Sequence, residues 1–130
     1  MRNQILAGIA MAAACYGGLV HAQASDTRAA QLEQGKQIYD YWCATCHGSD
    51  LGLPGFDGLP GTQQLRIKYR DTDISPLLED RTDLVPEFIK VIVRQGVSFM
   101  PHFRKTEISD AELEAITAFL TRNNPSGQRQ

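Results

Sequence analysis

Long hydrophobic runs are almost missing from this chain. The one clear run, Ile5 to Val20, holds 16 residues without a charge, short of the roughly 20 needed to cross a bilayer. Met1-Arg2-Asn3 puts one positive charge before it. Val20-His21-Ala22 and Ala22-Gln23-Ala24 offer small-residue cleavage sites after it, which is the order of a secretory signal. The reading is therefore a signal peptide over 1–22, with Ala24 as the alternative cleavage point, and a mature domain over 23–130. Export to the periplasm follows, with no stable membrane insertion expected. Cys15 goes with the signal, because Ala12 stands where a lipoprotein signal carries a larger aliphatic residue.

An excess of positive charge is missing too. The signal removes Arg2 and no acid, so 12 Lys+Arg face 15 Asp+Glu in the 108 residues that remain. A net charge of −3 with mixed signs does not suit nucleic acid, which calls for a basic stripe. Soft and aromatic-nitrogen ligands are just as scarce. Of three Cys, three His and three Met, the signal takes Cys15, His21, Met1 and Met11. Cys43, Cys46, His47, His102 and Met100 are left, so the mature chain has few ways to hold a metal. Its length is marginal for a purely hydrophobic core.

No repeat or low-complexity segment occurs, and strand signals are nearly absent. Leu32, Gly35, Tyr39 and Trp42 recur at helical spacing, which predicts a helix over 26–42. Five glycines and two prolines between 48 and 62 predict loop. Ser75-Pro76 opens a short helical turn through Leu77, Leu78 and Glu79. A clearer helix starts near Pro86, with Val85, Phe88, Ile89, Ile92 and Val93 as its apolar face and Gly96 as its stop. Ser109 and Glu112 make a capping box for a last helix, whose buried stripe is Leu113, Ile116, Phe119 and Leu120. The tail from Asn123 to Gln130 is expected to fray. The fold class is all-α.

What is present and decisive is Tyr41-Trp42-Cys43-Ala44-Thr45-Cys46-His47. Trp before Cys-x-x-Cys suits a thioredoxin-type dithiol, whereas Cys-x-x-Cys-His is the attachment signal for covalent haem. The dithiol needs an apolar strand leading into it within a βαβ pattern, and the approach here is polar and helical. A structural zinc site wants four protein ligands, and these three with distant His102 would be an irregular set. The haem reading gives each residue a task. Cys43 and Cys46 form thioethers to one covalent haem c, and His47 is the proximal iron ligand. The other ring nitrogen of His47 should donate to a backbone carbonyl, with Pro54 and Pro60 as the candidate sources. Met100, in a loop just after Gly96, is the sixth ligand, and His102 is its competitor.

The Cys43-x-x-Cys46-His47 motif, the Gly96-x-x-x-Met100-Pro101 loop and the Leu113-x-x-Ile116-x-x-Phe119-Leu120 helix together resemble class I cytochromes c. The resemblance covers most of the mature chain. It implies a small helical domain wrapped around one haem, with the first and last helices crossing where Gly35 meets Phe119, near Tyr39. Arg81-Thr82-Asp83-Leu84-Val85-Pro86, Val93-Arg94-Gln95-Gly96-Val97 and the residues from Met100 to Glu107 resemble more closely a particular group. These are the small cytochrome subunits of flavin-dependent 4-alkylphenol oxidoreductases, of the 4-cresol dehydrogenase and eugenol hydroxylase type.

With His47 and Met100 both on the iron, no position is open for substrate, and one-electron transfer remains. The chain reads as an electron carrier or subunit, not an enzyme by itself. The resemblance implies a flavoprotein as electron donor and a further protein as downstream acceptor. A free carrier to a terminal oxidase is the alternative. The expected docking face is Ala44, Phe99, Pro101 and Phe103, rimmed by Arg104 and Lys105. Arg66, Lys68 and Arg70, and less strongly Arg81 and Arg94, are candidate partners for haem propionates.

Overall fold

The computed structural model describes residues 26–49 and 58–126. The chain falls into two units, Met1–Ala30 and Gln31–Gln130. In the first, residues 26–30 are helical; the signal-peptide reading lies outside the described residues. In the second, α1 covers 31–42. It is followed by α2 (Ala44–His47), α3 (Pro60–Lys68), a 3-10 turn (Leu78–Asp80), α4 (Pro86–Gln95) and α5 (Asp110–Leu120). Among the described residues there is no strand, and one antiparallel bridge joins Val97 to Met100. The domain is all-α.

The core forms where α1 meets α5. A Cβ on Gly35 would lie 2.0 Å from the Ala115 carbonyl oxygen and 2.8 Å from the Phe119 Cβ. Only hydrogen at Gly35 lets the two backbones approach this closely. One turn on, the ring of fully buried Tyr39 lies 5.6 Å from that of Phe119. Leu113, Ile116 and Leu120 of α5, Ile89 and Val93 of α4, and Leu84 and Ile108 complete the buried cluster. Each of these side chains contributes about 1.5–3 kcal/mol by leaving water. The capping box at Ser109 and Glu112 closes the start of α5 as expected.

The structure departs from the sequence reading in four places. α3 starts at Pro60, inside the stretch read as loop, with Pro at its first helical position. Its buried face is Gly61 and Thr62, small residues that give no apolar stripe to read. The turn expected from Ser75-Pro76 falls later, at Leu78–Asp80, because Ser75 Oγ accepts from the Leu77 amide and delays it. In α4, Ile89 and Val93 are buried, whereas Val85 and Phe88 of the expected face are exposed. Of the tail expected to fray, 127–130 lie outside the described residues, and the start is anchored: buried Asn124 donates to the Leu84 carbonyl at 2.8 Å, and Asn123 donates to the Glu79 carbonyl.

Candidate haem site

α1 runs directly into the Cys-x-x-Cys-His segment. Cys43 donates its amide to the Tyr39 carbonyl at 2.8 Å and caps α2, its own carbonyl accepting from Cys46 and His47. The two cysteines and the histidine thus sit on one turn of helix. The Tyr39 hydroxyl donates to the His47 carbonyl at 3.0 Å. Fully buried Thr62 donates to the Gly48 carbonyl at 2.7 Å. The turn is therefore held from α1 on one side and from α3 on the other.

Neither cysteine is in a disulfide. Burial, reinforced by nearby Cys46, pushes the Cys43 thiol up to about 12. A redox dithiol depends on a lowered thiolate pKa, so the environment of Cys43 opposes that chemistry, as does the helix that leads into it. No three His, Cys, Asp or Glu side chains gather to hold a metal among the described residues.

The His47 ring is half-buried against α3. A Cβ on Gly61 would lie 2.7 Å from its Cε1 and 2.9 Å from its Nδ1. Burial lowers the imidazole pKa below 6.5, which favours the neutral form that ligates metals. Nδ1 is buried and has no hydrogen-bond partner among the described residues. Pro60, one of the two carbonyl sources expected for it, begins α3 and does not accept this proton; Pro54 lies outside the described residues.

Met100 sits on a tight turn after α4. Gly96 ends that helix at φ +71°, where a Cβ would meet the Met100 carbonyl oxygen at 2.7 Å. Val97 and Met100 then exchange two backbone hydrogen bonds, at 2.9 and 3.1 Å, across Ser98 at φ 55° and Phe99. Met100 is half-buried and, like Cys43, packs against the core cluster. His102 is exposed. The two segments are linked by an edge-on ring contact, with Trp42 and Phe103 centroids 5.8 Å apart.

The basic residues have protein partners of their own. Arg94 donates to the Phe103 carbonyl, the Ile108 carbonyl and Asp110, so it clamps α4 to the segment that follows it. Buried Arg81 forks onto Asp83 and lies 4.9 Å over the Tyr69 ring. Lys68 also lies over Tyr69, and Arg70 pairs with Asp71 at the surface. Sequence reasoning missed the parts played by Gly61, Thr62 and the Arg94 clamp; Pro60 as a helix start was the available hint for the first two.

Among curated proteins, the chain is 28% identical over 104 residues to the 4-cresol dehydrogenase [hydroxylating] cytochrome c subunit of Pseudomonas putida, covering 80% of this chain and 73% of that one. No solved structure matches it at the same stringency. The family model described as cytochrome c oxidase, cbb3-type, subunit III matches residues 30–120. That is most of the chain, and the chain belongs to this cytochrome c family: it is an electron-transfer haem protein, a carrier or subunit and not an enzyme in its own right.

Proposed function

We propose that this chain carries one haem c, joined by thioethers at Cys43 and Cys46 and ligated by His47 and Met100, and passes electrons in the periplasm. The observation that carries the proposal is the single helical turn that presents two free thiols and a half-buried imidazole seated on Gly61. These residues fit the group. Both thiols are free of disulfides, so each could form a thioether with a vinyl group. Gly61 leaves room for the ring, and Nδ1 is left to donate to an acceptor outside the described residues. When bound, the haem supplies reversible one-electron exchange between its ferrous and ferric states.

The chain's own residues do the rest. Tyr39 and Thr62 hold the carbonyls of His47 and Gly48, which fixes the backbone that carries the His47 ring. Trp42 and Phe103 cover the join between the two ligand-bearing segments and help to exclude water. As a ligand, the Met100 thioether would favour the reduced state.

The donor we propose is a flavoprotein that oxidises a 4-alkylphenol, with a separate downstream acceptor. The likeness to the Pseudomonas putida subunit supports it. So does Phe99, 63% exposed beside Met100, a large apolar side chain suited to the centre of an interface. Mixing the purified cytochrome with such a flavoprotein and its phenol, and following haem reduction, tests the pairing. Reduction should require both flavoprotein and substrate. If the pair neither associate nor exchange electrons while a terminal oxidase is readily reduced by the cytochrome, the free-carrier reading replaces this one. Attachment is tested separately: the haem should stay with the polypeptide through acid–acetone extraction.

A further inference from the structure

We infer that Arg94 is the positioning residue for Met100: it locks the segment that carries the sulfur, and without it the thioether is easily displaced. The inference rests on Met100 being the axial ligand. Met100 lies between two fixed points. Upstream, its amide and carbonyl both bond Val97. Downstream, only Pro101 and His102 separate it from Phe103, whose amide donates to the Val93 carbonyl at 2.8 Å. The Phe103 carbonyl accepts from Arg94 Nη1 at 3.0 Å. Both backbone groups of Phe103 are therefore tied to the last turn of α4, one of them by the guanidinium alone.

The same Nη1 donates to the Ile108 carbonyl at 2.8 Å, and Nη2 donates to Asp110 Oδ1 at 2.9 Å. Arg94 thus joins α4 to both ends of the segment between Met100 and α5. Lys105 holds the other oxygen of Asp110 at 2.6 Å. Side-chain exposure is 22% for Arg94 and 63% for Asp110, so the carbonyl bonds, and not the exposed ion pair, carry the lock. Bonds from a charged donor are about twice as strong as neutral ones. The three backbone steps from Met100 to Phe103 span no more than about 11 Å. Without Arg94, Phe103 keeps only its amide bond to Val93, and this weaker downstream anchor gives Met100 a range of motion that the Val97 turn alone does not remove.

The test is imidazole titration of the ferric holoprotein, followed by the near-infrared sulfur-to-iron band, for wild type, Arg94→Lys, Arg94→Ala and Asp110→Asn. Far-UV circular dichroism is recorded on each at the same imidazole concentrations. Arg94→Ala should lose the band at about 10- to 100-fold less imidazole, the range that lost charge-assisted hydrogen bonds represent, while its helices stay folded. Arg94→Lys, which can still reach a carbonyl, should be intermediate, and Asp110→Asn should lie close to wild type. If Arg94→Ala yields no holoprotein, Arg94→Lys decides. A lowered melting temperature with wild-type imidazole affinity in the deciding variant would mean that Arg94 is merely structural, and the inference falls. A wild type with no sulfur-to-iron band at all would instead remove the Met100 assignment, and the inference with it.

Discussion

The two sides of the site are built on different principles. On the His47 side, three chemical groups sit within five residues on one helical turn, tied to α1 by Tyr39 and to α3 by Thr62 and the close approach of Gly61. The constraint is steric and buried. On the Met100 side, one half-buried side chain hangs from a tight turn, and its place depends on backbone bonds to Val97 and on a partly exposed arginine. The constraint is a handful of hydrogen bonds. Regions held this way open at lower free energy than packed cores, so the methionine should leave before the histidine does. The site has a fixed face and a releasable one.

The largest effect should come from the fixed face. Replacing Cys43 and Cys46 together by Ser should leave little or no holoprotein, measured as haem stain on a denaturing gel, because the apo domain has too small a core. Gly61→Ala should rank next. Its methyl would strike the His47 ring at 2.7 Å and the Cys46 carbonyl oxygen at 2.8 Å, costing about 1–3 kcal/mol in denaturant unfolding and lowering haem incorporation. Gly96→Ala is its counterpart on the other face, with a positive φ as well as a 2.7 Å contact to the Met100 carbonyl. It should cost about as much, yet weaken the sulfur-to-iron band and leave incorporation near normal. If both glycine variants affected incorporation equally, the contrast between the faces would be lost.

Thr62→Val sharpens the comparison further. It leaves the Gly48 carbonyl without its 2.7 Å donor, and should cost about 1–3 kcal/mol with Met100 still bound. The smallest effect should be Arg104→Glu or Lys105→Glu. Both side chains are exposed and already paired, with Glu107 and Asp110. Reversal should slow association with the flavoprotein by a modest factor that fades as salt rises, seen in stopped-flow rates at two ionic strengths.

The helical turn through Cys43-x-x-Cys46-His47 was legible in the sequence because its spacing is local. The capping box and the stripe of α5 obeyed helical periodicity for the same reason. The crossing of α1 and α5 where Gly35 meets Phe119 is distant in sequence, and it was expected only from the resemblance to class I cytochromes c. What was missed depends on contacts distant in sequence. α3 hid in a Gly- and Pro-rich stretch because it buries Gly61 and Thr62 instead of an apolar row. The clamp that Arg94 makes went unread because, Asp110 aside, its acceptors are carbonyls 9 and 14 residues away, and backbone acceptors leave no mark on a sequence. The same holds for Asn124, whose acceptor is the carbonyl of Leu84, 40 residues earlier.

The central claim, an iron held by His47 on a fixed face and by Met100 on a releasable one, is tested most directly by the near-infrared spectrum of the ferric protein. Wild type, Met100→Ala and His102→Ala should be compared at one pH. The account predicts a sulfur-to-iron band in wild type and His102→Ala, and none in Met100→Ala, which should also bind carbon monoxide once reduced. A band that survives in Met100→Ala, or is absent from wild type, would contradict it.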